Sequence, residues 1–344
     1  MNRETPDCVS LCFEVPAELQ ENFNFTEGQH VSIRTSINGE DVRRSYSICS
    51  APHENELRIA VKKVSNGIFS TWANEQLKKG DLLEVMPPSG KFHATPSSTE
   101  KKNYLAIAAG SGITPIISIL KSTLIKEPTS QFTLIYGNKN RVSIIFFEQL
   151  EALKNKFMDR LSVHYILSRE RSDSALNYGR IDPEKLQLLE PLVGFKSIDE
   201  CFLCGPEEMI FSAKDLLKNY GIPERNIHFE LFNSNKGTAK MVAPVKAIEN
   251  TSKAAVSITL DGRTTEFNMP LEGQSILDAA QAQGADLPYA CKGGMCCTCK
   301  AKLLEGRVAM DVHWGLEDEE IQKGYILTCQ SKPLTEKISI NFDL

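Results

Sequence analysis

The chain has 344 residues, more than one hydrophobic core usually serves, so about two or three domains are expected. Hydrophobic residues make up 41% and charged residues 24%, and no apolar run approaches the roughly 18 residues that cross a bilayer, which excludes a membrane-embedded helical protein. A net charge of −5, from 39 basic and 44 acidic side chains, leaves no electrostatic footprint for nucleic acid or anionic lipid.

The excess negative charge is concentrated. Residues 254–344 hold 8 Lys and Arg against 13 Asp and Glu, while the rest of the chain is balanced at 31 and 31. The opening MNRETPDCVSLCFEV lacks the basic start and long apolar stretch of a signal peptide, so cytoplasm is the expected compartment. Ten cysteines there point to metal ligands, redox groups or small buried hydrophobes rather than disulfides.

Residues 1–98 read as short strands broken by turns: SLCFEV, HVSIRTSI, RRSYSICS, ELRIAVKKV and DLLEVMPP, with Asn38-Gly39 as a hairpin turn. This pattern predicts an antiparallel β-barrel or sandwich. The polar stretch TPSSTEKKN, at 95–103, marks a boundary. From 103 to 232 apolar strands alternate with amphipathic helices: YLAIAAG, ITPIISILKSTLIK, FTLIYGN, IIFFEQLEALKNKF, LSVHYILS, CFLCG, EEMIFSAKDLLKNYG and NIHFELF. Buried strands regularly followed by helices predict an α/β domain with a parallel sheet.

The first of these strands runs into Gly110-Ser111-Gly112-Ile113-Thr114-Pro115 and then a helix. Thr114 is expected to cap that helix and Pro115 to sit in its first turn, so unpaired N–H groups would face a phosphate. A G-x-G-x-x-P turn alone is equally a structural turn. Its place after the first strand of a parallel sheet favours nucleotide binding.

Residues 233–253 lack a sustained period and read as a linker. Two alternating strands about Asp261-Gly262 then predict a hairpin, and Ser275 is expected to cap a short helix, ILDAAQAQ, stopped by Gly284.

Within 254–344, Cys291, Cys296, Cys299 and Cys329 follow C-x4-C-x2-C with a distant fourth cysteine, the plant-type [2Fe–2S] spacing. Three thiolates on one loop can wrap one edge of a small cluster, and a fourth must arrive from elsewhere. Gly293 and Gly294 let the loop fold closely. A zinc ribbon would want two C-x2-C knuckles, and the other such pair, Cys201 and Cys204, lies in an apolar strand. A Rieske centre needs histidine ligands, and the six His, at 30, 53, 93, 164, 228 and 313, show no metal spacing and read as structural. Two readings stand for Cys297: an inert neighbour, or a substitute ligand or oxidation-prone thiol. Cys8, Cys12 and Cys49 read as core packing.

Four motifs now line up: Arg44-Ser45-Tyr46-Ser47, Gly67-Ile68-Phe69-Ser70-Thr71, the G-x-G-x-x-P turn and Cys204-Gly205-Pro206. In this order they resemble the ferredoxin-NADP⁺ reductase family, here extended by a plant-type ferredoxin domain of α+β β-grasp type. The resemblance spans nearly the whole chain and implies FAD in the barrel. Tyr46 would pack on the flavin ring and Arg44 pair with the pyrophosphate, with Ser70 and Thr71 adding donors. Ser45, Val61, Lys62, Gly67 and Phe69 would complete the FAD site. Gly110, Gly112, Thr114, Pro115 and Gly205 would hold the nicotinamide nucleotide. Ser47, Cys204 and Glu230 would surround the flavin N5 and nicotinamide C4, with Phe232 covering the flavin.

Members of the family end near this glutamate, whereas this chain continues, so Glu230 also reads as a solvated residue after the last strand. Relatives also carry several more residues that form the opening of the first barrel strand, inside which Met1 falls, so either the chain is trimmed or that strand is short. Ser168-Arg169 resembles the pair that NADP⁺-specific members place at the 2′-phosphate, with Arg180 compensating for a missing Lys, so NADPH is expected over NADH. The implied activity is NAD(P)H-dependent electron transfer through FAD and [2Fe–2S] to an oxygenase component, di-iron or Rieske. A redox-sensing flavoprotein and a structural metal module fused to a diaphorase are the alternatives. The acidic Glu317, Asp318, Glu319 and Glu320 are expected to meet the partner.

Overall fold

A computed structural model describes residues 1–93, 101–171, 174–232 and 253–344. The expected linker, except its last residue, and most of the stretch at 95–103 lie outside them. The chain divides into two compact units, one covering all but three residues of 1–232 and the other built on the C-terminal module.

The first module opens with β1 (Asn2–Thr5) and β2 (Cys8–Phe13), followed by β3 (His30–Ile37), β4 (Glu40–Ser47), β5 (Leu57–Lys62), helix α1 (Ile68–Glu75) and β6 (Glu84–Val85). They form two sheets, β1-β2-β5 and β4-β3-β6, connected by an antiparallel bridge between Ile48 and Ile59. Val9, Leu11, Val31, Ile33, Ile59, Val61 and Phe69 share one core. Asn38 and Gly39, with φ of 54° and 83°, make the two-residue turn that right-handed strand twist favours. The first strand pairs with the second from Asn2 onward, so Met1 stands at its opening. DLLEVMPP yields only a two-residue strand, because Pro87 and Pro88 have no N–H to continue it. Cys12, expected in the core, is exposed near the end of β2, while Cys8 and Cys49 are buried.

The second module contains β7 (Asn103–Ala109), α2 (Ile113–Lys126), β8 (Gln131–Asn138), α3 (Phe147–Lys156), β9 (Leu161–Leu167), α4 (Pro183–Val193), β10 (Glu200–Gly205), α5 (Glu207–Asn219) and β11 (Ile227–Leu231). Its parallel sheet has the order β11-β10-β7-β8-β9. The order reverses between β7 and β10, which opens a crevice at their carboxyl ends, the place where such sheets bind ligands. Helix α4 is not evident in the apolar pattern because Pro191 interrupts it. Its signals are nonetheless present: Asp182 Oδ1 accepts from Lys185 N–H at 2.8 Å, Pro183 occupies the first turn, and Gly194 closes it at φ 66°.

These two modules are bridged by buried and part-buried polar contacts. Ser118 Oγ donates to the Ser50 carbonyl at 2.6 Å, Lys121 pairs with Glu54 at 2.5 Å, and Lys126 reaches Glu27 at 2.8 Å. Burial alone would raise the Glu54 pKa, but the Lys121 ammonium outweighs it and holds the carboxyl below its usual value.

The C-terminal module comprises β12 (Lys253–Leu260), β13 (Arg263–Pro270), α6 (Ile276–Ala282), β14 (Lys300–Glu305), β15 (Val308–Met310), α7 (Asp318–Gln322), β16 (Tyr325–Leu327), β17 (Ser331–Pro333) and β18 (Lys337–Asn341). A mixed sheet, β13-β12-β18-β14-β16, shares its core with α6 through Val256, Ile258, Leu277, Ala280, Ile338 and Ile340. Ser275 Oγ accepts from Asp278 N–H at 3.1 Å, the expected cap. No helix among the described residues is long and apolar enough to cross a membrane.

Candidate functional site

Ser47 ends β4, Cys204 lies in β10 and Glu230 in β11, directly across from Cys204 in the parallel register. The fold brings them together: Ser47 Oγ donates to Glu230 Oε2 at 3.2 Å. Glu230 is therefore inside the last strand rather than solvated beyond it. Burial first, and the Glu230 carboxylate second, push the Cys204 thiol well above its ordinary pKa. Cys204 thus stays a neutral, compact S–H beside a carboxylate that already holds a hydroxyl. Phe232 is half-buried against the core beneath.

On the first module, Arg44, Ser45 and Tyr46 occupy consecutive positions of β4 before Ser47. Tyr46 is half-buried, its ring centroid 5.3 Å from that of Phe69 at 36°. Arg44 is exposed, and its guanidinium donates to the Arg43 carbonyl at 2.7 Å. Helix α1 begins at Gly67 without a side-chain cap, so its first N–H groups remain for a ligand. A Cβ at Gly67 would come within 2.3 Å of Ser70 Oγ and 2.5 Å of Val64 Cγ2. The Ser70 hydroxyl is used internally, accepting from Val64 N–H at 3.2 Å and donating to the Gly67 carbonyl at 3.3 Å. It shapes the turn. Beside it lies a shallow cavity of about 260 Å³, lined by Ile37, Asn38, Gly67, Thr71 and Trp72 among others. An uncapped helix start, an aromatic face and an adjoining cavity fit a flavin dinucleotide. Lys62 Nζ would lie 3.7 Å from a Cβ placed on Gly110.

The Gly110–Gly112 turn sits at the carboxyl end of β7. A Cβ on Gly112 would meet the Cys204 carbonyl oxygen at 2.1 Å, so only glycine lets this turn lie on the end of β10. Thr114 does not cap α2. The chain passes from a 3₁₀ turn straight into the helix, with Gly112 already helical at φ −59° and ψ −10°. Thr114 is therefore inside the first turn and donates back to the Ser111 carbonyl at 3.0 Å, with Pro115 buried behind it.

Ser168 and Arg169 follow β9, and their N–H groups donate to the carbonyls of Asn138 at 2.9 Å and Lys139 at 2.8 Å. Arg169 is exposed, and Glu170 is occupied by the Arg141 N–H at 2.8 Å. Sequence reading passed over Lys139, which this pairing places beside Arg169, and Tyr178. Tyr178 bridges Leu167, and Gly179 N–H donates to the Leu167 carbonyl at 3.0 Å, so Arg180 lies next to the same strand end. Arg171 stands over the Tyr178 ring at 5.9 Å. The signal was an aromatic between two arginines.

The cysteine loop is local. Lys292, Gly294 and Cys297 all have positive φ, of 49°, 75° and 53°, which winds residues 291–299 tightly. A Cβ on Gly294 would meet Val312 Cγ2 at 2.8 Å. The sulfurs stand in two pairs. Cys291 hydrogen-bonds Cys296, which pushes the Cys291 thiol up and the Cys296 thiol down; Cys299 and Cys329 do the same, with Cys299 raised and Cys329 lowered. Backbone N–H groups of Gly293 and Cys296 reach Cys291 Sγ at 3.3 and 3.4 Å. Among the described residues no three His, Cys, Asp or Glu side chains are grouped to hold one metal ion. Two thiolate pairs within a cage of N–H donors fit two irons instead. Cys297 Sγ turns away and donates to the Gly315 carbonyl at 2.7 Å.

Residues 2–94 match the family described as oxidoreductase FAD-binding domain, 106–215 the oxidoreductase NAD-binding domain, and 258–334 the 2Fe-2S iron-sulfur cluster binding domain. The chain is 46% identical over 341 residues to a component of the 1,2-phenylacetyl-CoA epoxidase of Escherichia coli, covering 99% of this chain and 95% of that protein. It is 36% identical to the ferredoxin reductase component of 3-ketosteroid-9-alpha-monooxygenase of Rhodococcus rhodochrous, covering 98% and 94%. In fold it is similar to phthalate dioxygenase reductase, with a TM-score of 0.58 and 22% identity across 98% of this chain and 94% of that one.

Proposed function

The chain belongs to the ferredoxin-NADP⁺ reductase family in its form joined to a plant-type [2Fe–2S] domain, and from this we propose that it carries electrons from NADPH to a di-iron oxygenase of the phenylacetyl-CoA epoxidase type. It is an oxidoreductase, the reductase component of an oxygenase system. When bound, FAD would supply a means of accepting a hydride and releasing electrons singly, and a [2Fe–2S] cluster a one-electron relay, with the protein supplying their placement.

Ser47 and Glu230 hold a hydroxyl and a carboxylate at the crevice where the nicotinamide meets the flavin, and Cys204 gives that crevice a small neutral wall. This convergence of residues from two modules carries the reading. Arg44, Ser45, Tyr46, Val61, Lys62, Gly67, Phe69, Ser70 and Thr71 hold FAD, and Phe232 covers it. Gly110, Gly112, Thr114, Pro115 and Gly205 receive the nicotinamide nucleotide. Ser168 and Arg169 take the 2′-phosphate, helped by Arg180 and Lys139. Cys291, Cys296, Cys299 and Cys329 ligate the cluster. The modules run over 1–98, 103–232 and 254–344, and the protein works in the cytoplasm.

The choice of acceptor rests on the 46% identity along the whole chain. The 36% identity to the ketosteroid relative supports a Rieske acceptor as the second reading. Purified holoenzyme with NADPH should reduce a phenylacetyl-CoA epoxidase oxygenase component and sustain its turnover. Turnover with a Rieske ketosteroid oxygenase alone would reverse the choice.

A further inference from the structure

Asn138 is the last residue of β8, at the carboxyl edge of the parallel sheet, and is only 8% exposed. Neither its amide nitrogen nor its amide oxygen has a hydrogen-bond partner among the described residues. A buried, unpaired carboxamide is costly to the folded protein, because water has been removed and nothing has replaced it. At the edge of the sheet where ligands bind, such a group is one that a ligand completes.

Its neighbours say which part of a ligand. Two residues back on the same face, Tyr136 donates its hydroxyl proton to the Gly110 carbonyl at 2.9 Å, so this face leads to the Gly110–Gly112 turn. The Asn138 amide approaches the Tyr136 hydroxyl without completing a bond to it. On the other side, the Asn138 carbonyl accepts from Ser168 N–H at 2.9 Å and Ser168 Oγ at 3.3 Å. In the order β7-β8-β9, Asn138 therefore stands between the turn that receives the pyrophosphate and the Arg169 that receives the 2′-phosphate. Those two groups hang from one ribose, at its 5′ and 2′ positions. Between them this ribose presents its 3′-hydroxyl, one donor and one acceptor, and Asn138 offers one of each.

We propose that the Asn138 carboxamide binds the adenosine ribose of the nicotinamide nucleotide through its 3′-hydroxyl. The proposal rests on the nucleotide placement given under Proposed function. It applies to NADP⁺ and NAD⁺ alike, since both carry the 3′-hydroxyl, whereas Arg169 distinguishes them.

Calorimetric titration of the FAD- and cluster-loaded protein tests it with adenosine 2′,5′-bisphosphate, its 3′-deoxy analogue, NADP⁺ and NAD⁺. Wild type should bind the 3′-deoxy compound about tenfold more weakly, the effect of one buried hydrogen bond. Asn138→Leu should bind both bisphosphates with the same weakened affinity and lose about tenfold with NADP⁺ and NAD⁺. Its melting temperature without nucleotide should be unchanged or higher, because the orphaned amide is gone. Equal wild-type affinity for the two bisphosphates overturns the proposal without needing any variant. So does a lowered melting temperature in Asn138→Leu with nucleotide affinity intact, which would make Asn138 structural. Arg169→Ala in the same titration separates the two readings: equal losses for NADP⁺ and NAD⁺ sink the 2′-phosphate assignment and leave the 3′-hydroxyl result standing.

Discussion

The cysteine loop and the Ser47 site reach their geometry by opposite routes. Three of the four sulfurs lie within residues 291–299, and tight turns at Lys292, Gly294 and Cys297 decide how they face each other. Ser47, Cys204 and Glu230 are spread over most of the first unit, and they meet only because β10 and β11 pair in register and the first two modules dock. The setting proposed for the cluster is a property of one loop plus Cys329. The site proposed for hydride transfer is a property of an interface, held by Lys121–Glu54, Lys126–Glu27 and Ser118 on Ser50. The two should therefore fail differently.

The largest effect is expected at the loop. Cys296→Ser or Cys329→Ser should abolish the cluster's visible absorption and its iron, while bound FAD and NADPH oxidation by a small acceptor persist. Loss of flavin together with iron would show that the two sites are not independent. Cys297→Ser should retain full iron content, because that thiol faces the Gly315 carbonyl rather than its neighbours.

At the interface site the effect should be graded. Ser47→Ala should slow flavin reduction about 10²-fold with little change in KM, the scale seen when one placed hydrogen-bonding group is removed from a reacting centre. Stopped-flow reduction by NADPH checks this, and a normal rate would remove Ser47 from the reacting set. Iron content should not change.

Smaller again is the choice of nucleotide. Arg169→Ala should weaken NADPH use by about 1.5–3 kcal/mol, the worth of a hydrogen bond to a charged group, and barely alter NADH use. Equal kcat/KM losses for both nucleotides would overturn the 2′-phosphate role.

The smallest effect concerns the acidic surface of the C-terminal module. Glu317, Asp318 and Glu319 are exposed, but Glu320 turns inward, paired with Lys300 at 3.1 Å and accepting the Glu317 N–H at 3.0 Å. Electron delivery to the oxygenase should slow as ionic strength rises, while oxidation of NADPH by a neutral acceptor changes less. Glu319→Gln should lower the salt dependence more than Glu320→Gln. A salt-independent partner rate would exclude electrostatic docking.

How much was legible follows the same division. The Asn-Gly and Asp-Gly turns and the Ser275 cap are set within a few residues and the α/β alternation one strand or helix at a time, and each stands as expected. Where reading failed, the backbone ran on past an expected boundary or a proline broke the apolar pattern. Thr114 lost its cap because a 3₁₀ turn runs on into α2. Helix α4 was hidden by Pro191, although its caps at Asp182 and Gly194 were in plain view.

The sequence by itself determined the order of three modules and, through motifs in order and cysteine spacing, the cofactor class of each, because periods, motifs and spacing are properties of short stretches of chain. Only the tertiary structure decided that Glu230 faces Ser47, that Gly112 rests on the Cys204 carbonyl, and that the Asn138 amide is buried without a partner among the described residues. These depend on which strands lie side by side and in what register. Strand order is settled by the packing of the whole sheet, and no local pattern encodes it.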